Sequence, residues 1–543
     1  MKFFKYSFKA LKRNYLKLSI MTIICICSSV IGLLIPIISG TFINNLIINP
    51  SMEVIINFCK IMIIASIIDF IFKYLISILH IKIQVSASFF LNFKILKKLQ
   101  HANLLKLQEH ESSYFNQRIN NDVNAIIMYI INLIKDVIIN SIALIFSMLF
   151  LINIDYRISL IFILVILFYI IFYKFLRKRI QVIKNKVLEN RAKYYARLQD
   201  QILYAKFIKI YNFGNRLASY LKKEYENLKR ILIIDQKYTY FLSFGEQSAM
   251  LVIQLIIYII GGLKVLSGDL SIGMFTVVSQ YFYKIISSIK FFSSLYQQYL
   301  STFVSYSRLI EIENLETDSK GEIVLDDIES IEMKNISFGY ENEKVIKNFS
   351  LLMNKGEIYV FLGENGSGKT TLINLLIGLY TNYTGEIKYN SINQDKINLY
   401  KTRERCFGVI SQAPLLFNGT VKDNLMIDKD ISWANLEQYL LKFNLITKEE
   451  NINNFLDKNI NELTTRMSGG EGQKINIIRE LLRNRSILVL DEPTSSLDYA
   501  SKELLKKMIT RIKDDHIIIL ISHDREFLEG LQSKKIYVKN RSI

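Results

Sequence analysis

The residues best placed to do chemistry lie in the second half of the chain. Gly363-Glu364-Asn365-Gly366-Ser367-Gly368-Lys369-Thr370 follows the pattern of a glycine, four residues, then Gly-Lys-Thr. An apolar run reading EIYVFLG (Glu357–Gly363) precedes it, and an apolar helical stretch (Thr371–Tyr380) follows. Strand before and helix after is the setting that a phosphate-cradling loop requires. Its glycines let backbone N–H groups converge on phosphates, and the helix N-terminus adds the positive end of its dipole. Lys369 then reaches the β- and γ-phosphates, and the Thr370 hydroxyl ligates Mg²⁺. A second apolar run, Ser486–Leu490, ends in Asp491-Glu492. A carboxylate at a strand end beside phosphates holds Mg²⁺, and its neighbour orients and polarises the attacking water. An acidic turn after a buried strand is ordinary by itself; beside the glycine loop it predicts a nucleotide site with Mg²⁺.

Those motifs need a sheet with helices around it, and residues 321-543 have that texture: short apolar runs separated by Gly, Asn and charged turns, an α/β pattern. Residues 1-320 differ. The chain of 543 residues is 50% hydrophobic, with 68 Lys+Arg against 49 Asp+Glu, a net charge of +19. Its pI of 9.4 and mean hydropathy of +0.22 are a mixed signature, too apolar for a soluble nucleic-acid binder. Residues 1-320 hold 38 Lys+Arg and 18 Asp+Glu, and residues 321-543 hold 30 and 31, so the whole basic excess belongs to the first part. Four scattered cysteines, Cys25, Cys27, Cys59 and Cys406, make no disulfide framework.

A bilayer core needs roughly 20 mostly apolar residues per helix. The first part supplies six such runs: Leu18–Leu46, Ile55–Ile81, Ile126–Ile152, Ile158–Phe175, Phe241–Leu266 and Ile272–Tyr299. Lys2, Lys5, Lys9, Lys12, Arg13 and Lys17 precede the first run with no acid among them, which keeps the N-terminus cytoplasmic. The outer turns carry few basic residues. The inner segments after runs two and four carry many, and they keep helical periodicity almost without Gly. They are expected to be two helical hairpins projecting into the cytoplasm. Six spans then return the chain to the cytoplasm and exclude a soluble nucleic-acid-handling ATPase.

Intramembrane charges call for an explanation, since their desolvation is costly. Asp69 and Lys73 are spaced i,i+4, Lys135 and Asp136 are adjacent, and Glu246 sits near the inner end of the fifth run. Asp69 and Lys73 either neutralise each other on one helix face or touch cargo.

Met467-Ser468-Gly469-Gly470-Glu471-Gly472-Gln473 resembles the signature sequence of ATP-binding cassette (ABC) proteins, and further segments follow in that family's order. The resemblance implies that Tyr340 stacks on adenine, that Gly363 through Thr371 hold the phosphates, and that Gln412 senses Mg²⁺ and the membrane domain. It implies that Asp491 binds the metal, that Glu492 is catalytic, that Asp498 belongs to the D-loop, and that His523 is the switch histidine contacting the γ-phosphate. Ser468, Gly469 and Gly470 would meet the ATP held by a second copy. Nearly the whole chain is similar to an exporter-type (type IV) half-transporter. The expected fold is therefore an α-helical membrane domain of six transmembrane helices (1-320) fused to an α/β P-loop ABC ATPase domain (321-543), working as a homodimer in the cell membrane.

Tyr114–Val123 resembles the short coupling helix and outgoing segment of such exporters, with a flavour of bacterial peptide exporters; a second coupling contact is expected near Ala205–Asn215. Three departures stand out. Glu471 replaces a commoner Gln, Asn461–Arg466 lacks the usual pre-signature pattern, and the chain stops at Ile543, so the closing helices of the cassette are expected to be missing or abbreviated. About 17 residues precede the first run, so no leader-cleaving domain is expected. A Tyr/Phe-rich face (Tyr281, Phe282, Tyr283, Phe291, Phe292, Tyr296) suits a bulky amphipathic cargo such as a peptide, or is helix packing. Rival readings are a drug or lipid exporter, an importer on the exporter fold, and an ATP-gated regulator or channel that does not pump.

Overall fold

The computed structural model describes residues 2–109, 112–154, 179–318 except for 181, 185, 188 and 192, 321–340, 343–426, 432–460 and 468–538. The chain forms two compact units, Met1–Phe93 with Arg118–Leu309, and Lys94–Gln117 with Ile310–Ile543.

The first unit is helical. Among the described residues four helices are long and apolar enough to cross a membrane: Lys2–Ile48, Met52–Gln100, Tyr114–Ile154 and Gly214–Leu266. The expected run Ile158–Phe175 lies outside the described residues, and the sixth falls within one continuous helix, Ile272–Glu313. Helices of 49 and 53 residues, Met52–Gln100 and Gly214–Leu266, are about 74 and 80 Å long at 1.5 Å per residue. That is more than twice a hydrocarbon core of about 30 Å, so each must continue into water, as the periodicity predicts.

Small residues set a close helix crossing. A Cβ at Gly40 would lie 2.7 Å from the Gly273 carbonyl oxygen, and one at Gly273 would lie 2.0 Å from that of Gly40. Only glycine lets these backbones meet. Asn44 secures the crossing by accepting from the Gly273 amide at 2.8 Å and donating to the Ser271 hydroxyl at 2.9 Å. The aromatic face divides. Tyr281 is buried against Leu33 and Val277 and donates to the Leu33 carbonyl at 2.6 Å; Phe282 packs with Leu151, Ile253 and Ile257. These two serve helix packing, while Tyr283 is exposed. The side chains of Tyr296 and Glu246 lie outside the described residues.

The second unit carries two main sheets. The strands are β1 (Ser330–Tyr340), β2 (Glu343–Asn354), β3 (Ile358–Leu362), β4 (Thr384–Tyr389), β5 (Ile392–Asn393), β6 (Phe407–Ile410), β7 (Gly419–Thr420), β8 (Asn459–Ile460), β9 (Ile487–Asp491), β10 (Ile517–Ile521) and β11 (Lys534–Tyr537). Five form a parallel sheet in the order β11-β3-β10-β9-β6, and β2-β1-β4-β5 is antiparallel. The central parallel strands are covered on both faces, which is why β10 reads IIILI with every residue buried. Alternate residues feed two cores: Tyr359 and Phe361 join one with β1 and the helix Lys369–Leu376, and Ile358 and Val360 join the other with Ile475, Ile477 and Ile478.

Residues 94–117 belong to this unit. Asn103 caps the helix Leu104–Gln108 through the Leu105 amide, and Leu104 and Leu105 pack on the first core. The Asn103 amide donates to Glu316 O at 2.9 Å, and its side chain donates to the Thr381 hydroxyl at 3.0 Å. The segment Leu104–Gln108 is therefore seated on the ATPase core. Two leucines and a cap make that contact, and neither stands out in sequence.

Candidate functional site

The site forms where the parallel strands end. β3 stops at Leu362 and the loop Gly363–Gly368 turns directly into the helix Lys369–Leu376. The turn depends on Gly368, which has φ +95° and caps the helix; a Cβ there would lie 2.6 Å from Ile346 Cδ1. A left-handed backbone with no room for a side chain admits only glycine. Lys369 folds back over the loop, its Nζ donating to the carbonyls of Gly363 at 2.7 Å and Glu364 at 2.9 Å.

A cavity of about 590 Å³ opens beside this loop, lined by Tyr340, Asn365, Gly366, Gly368, Lys369, Thr370, Thr371, Gln412, Asp491, Glu492 and His523 together with Val345 and Ile521. The size suits a nucleotide. Gly363, Glu364 and Ser367 instead face a cleft of about 460 Å³ beside Tyr537 and Val538, which Asn365 shares. Tyr340 ends β1 at the rim, its hydroxyl 3.1 Å from Thr371 Oγ1, with Tyr380 packed edge-on against its ring.

Asp491 and Glu492 follow from the parallel pairing of β9 with β10, which sets Asp491 opposite Ile521. Burial first, and then the charge of Glu492, push the Asp491 carboxyl above its usual range, with a hydrogen bond from Thr370 opposing the shift. A buried carboxylate beside another is relieved by a cation. Glu492 has φ +49°, and its amide donates to Ile521 O at 2.9 Å. Such a backbone is strained for a non-glycine residue; here it turns the side chain away from the sheet edge, so that Glu492 Oε1 lies 3.7 Å from His523 Nε2.

Two observations test the fit to a polyphosphate and Mg²⁺. Gly366, Gly368 and Lys369 line the cavity together, open backbone beside an ammonium group, which suits phosphate oxygens. Thr370, Asp491 and Gln412 supply hydroxyl, carboxylate and amide oxygens, the hard donors that Mg²⁺ takes alongside substrate phosphates. The residues present fit both groups.

Ser468, Gly469, Gly470 and Asp498 do not line the cavity. Ser468 caps the helix Gly469–Arg483 in a capping box: its hydroxyl accepts from the Glu471 amide at 3.2 Å, and Glu471 Oε2 accepts from the Ser468 amide at 2.8 Å. Gln at this position closes the same box, so Glu471 keeps the cap that the commoner residue makes. Asp498 accepts from Lys474 Nζ at 2.7 Å and caps Tyr499–Ile512 through the Ser501 amide. The Lys474 hydrogen bond leads in holding its carboxyl down at about 2. Met467 and Asn461–Arg466 lie outside the described residues. Sequence reasoning missed Val345 and Ile521, ordinary apolar strand residues with no distinguishing signal, and Lys474, which a lysine six residues after a helix cap could have flagged.

The ABC transporter family model matches residues 346–495, and the ABC transporter transmembrane region matches residues 18–289. The chain belongs to the ABC transporter family, with a membrane region fused to an ATPase that couples ATP hydrolysis to transport. Relatives agree at the level of class. An export ATP-binding/permease protein of Rickettsia prowazekii is 29% identical over 90% of this chain and 84% of its own length. ABC transporter B family member 1 of Dictyostelium discoideum is 34% identical over 51% of this chain, a match spanning only 31% of that longer protein. An ATP-dependent lipid A-core flippase of Syntrophus aciditrophicus is 32% identical over 40% of this chain and 36% of its own. A solved bacterial Atm1-family ABC exporter with ATP bound shares the fold, with a TM-score of 0.85 over 98% of this chain and 94% of that chain at 16% identity.

Proposed function

We propose that the chain is one half of a homodimeric exporter of amphipathic cargo, with the membrane domain at 1-320, the ATPase at 321-543, and the N-terminus and ATPase on the cytoplasmic side of the cell membrane. The carrying observation is the division of the ATPase chemistry: the P-loop, Asp491, Glu492 and His523 meet in one cavity, while the capped signature Ser468-Gly469-Gly470 does not join it. Each signature is then free to close over the ATP of a second copy. The helix Ala205–Tyr211, with Phe207, Ile210 and Tyr211 exposed, supports the same reading as an apolar tip suited to a partner.

In this mechanism Tyr340 stacks on the base, the loop amides with Lys369 bind the phosphates, and Thr370, Asp491 and Gln412 would hold Mg²⁺. When bound, the ion neutralises phosphate charge as the bond to the leaving oxygen breaks. Glu492 polarises the attacking water, and His523, beside it, contacts the γ-phosphate and orients the carboxylate. Closure of two cassettes around two ATP molecules favours the outward-facing cavity, and hydrolysis resets it. A peptide remains one candidate cargo, although the burial of Tyr281 and Phe282 removes part of the aromatic face that favoured it; lipids and drugs are the others.

The test is Glu492→Gln in proteoliposomes. ATP binding should persist while turnover falls by at least about 10²-fold; normal hydrolysis by this variant would refute the assignment. ATP-dependent uptake of peptides, lipids and dyes into inside-out vesicles gives direction, and cargo-independent ATPase activity without uptake would favour a non-pumping regulator.

A further inference from the structure

The membrane unit contains a cavity of about 520 Å³ whose wall is charged. Four helices contribute: Tyr15–Ile48, Met52–Gln100, Val123–Ile154 and Ile272–Glu313. Its ionisable lining, apart from His80, is Asp69, Lys73, Lys135, Asp136 and Lys284, three ammonium groups against two carboxylates.

The carboxylates are already engaged. Asp69 accepts from Lys73 through Oδ2 at 2.6 Å and from the Ser28 hydroxyl through Oδ1 at 2.7 Å. Asp136 lies 3.4 Å from Lys135. Thus the i,i+4 pair is internally neutralised and also lines the cavity. Lys284 differs. Its Nζ donates to the Gly32 carbonyl at 2.5 Å, and no carboxylate lies within 4 Å of it among the described residues. His80 is held by Asn132 at 3.1 Å. Leu33, Ile76, Met128 and Ile139 provide apolar wall beside the charges.

A half-buried ammonium facing a membrane cavity with only a neutral acceptor is costly to desolvate. An incoming anion offsets that cost through a charge-assisted hydrogen bond. We propose that this cavity takes an amphipathic cargo carrying an anionic group, phosphate or carboxylate, seated on Lys284 with its apolar part against Leu33, Ile76 and Ile139. The inference rests on the exporter reading and narrows its cargo by charge. A lipid headgroup and a peptide C-terminus share this chemistry, so the experiment carries both.

The full chain in nanodiscs, without nucleotide, would be titrated by fluorescence anisotropy against two matched probe pairs. One pair is tail-labelled lysophosphatidic acid and lysophosphatidylcholine. The other is an acylated, labelled peptide with a free C-terminal carboxylate and its C-terminal amide. The anionic member of at least one pair should bind about tenfold more tightly, and the pair in which it does so identifies the source. Lys284→Gln should erase the preference and Lys284→Arg should keep it. Equal binding within both pairs by the unmodified protein overturns the proposal and needs no variant to do so. A preference that survives Lys284→Gln overturns the role of Lys284. Because no nucleotide is present, either failure leaves the Glu492→Gln test of the pump untouched.

Discussion

The nucleotide cavity and the membrane cavity are similar in size, about 590 and 520 Å³, but are built in opposite ways. The first is assembled where strand ends and loops from Tyr340 to His523 converge, and its phosphate end is set largely by backbone: Gly368 and Glu492 in left-handed conformations and Lys369 folded onto its own loop. The second is assembled from single side chains on four helices, from Ser28 to Lys284, with Ser28 tied to Asp69 and Lys284 to the Gly32 carbonyl. A site whose phosphate end is one short loop fixed by its own backbone tolerates almost no change. One distributed over 250 residues can change cargo a side chain at a time, while the ATPase that drives it stays the same.

That contrast can be broken by mutation, and the largest effect belongs to the nucleotide cavity. Lys369→Ala should weaken ATP binding by at least about 10²-fold, the loss of a charge-assisted contact in a partly buried site, read as loss of the ATP-induced rise in melting temperature. Equal ATP protection in the variant would place the phosphates elsewhere. Next comes Gly368→Ala, which forces a Cβ against Ile346 at a φ of +95°. It should destabilise the ATPase by about 1–3 kcal/mol, measured by denaturant unfolding of the full chain.

A smaller, pH-dependent effect follows at Asp491. Its carboxyl is raised by burial and by Glu492, so the folded state holds the proton more tightly than the unfolded chain. The nucleotide-free protein should then lose stability as pH rises from the unfolded carboxylate value near 3.9 through the raised folded value. Asp491→Asn should flatten that slope and remove the extra protection that Mg²⁺ adds to ATP; an unchanged slope would show that the site carries no such burden. Asp498 runs the other way. Held at about 2 by Lys474 and the Ser501 amide, it adds stability above the unfolded value that is lost as pH falls toward 2. Its side chain is half exposed, so Asp498→Asn should destabilise by less than about 1 kcal/mol. In the membrane cavity, Lys73→Gln should shift probe affinity only a few-fold, because Lys73 is spent on Asp69. A larger loss than Lys284→Gln produces would exchange their roles.

The sequence by itself picked out the candidate nucleotide site, because a glycine loop, a Gly-Lys-Thr and a strand ending in Asp-Glu are local patterns whose geometry follows from a few adjacent dihedrals. It also determined that the first part is membrane helix, because length and apolarity are properties of single segments. Hydropathy alone could not say that Tyr281 and Phe282 pack between helices, since a buried aromatic and a cavity-facing one look alike along a helix. Nor could it say that Leu104–Gln108 seats on the ATPase, that Glu492 is strained, or that Lys284 faces a cavity whose carboxylates are already paired. Each of these depends on which residues, distant in the chain, arrive at the same place, and only the tertiary structure decides that.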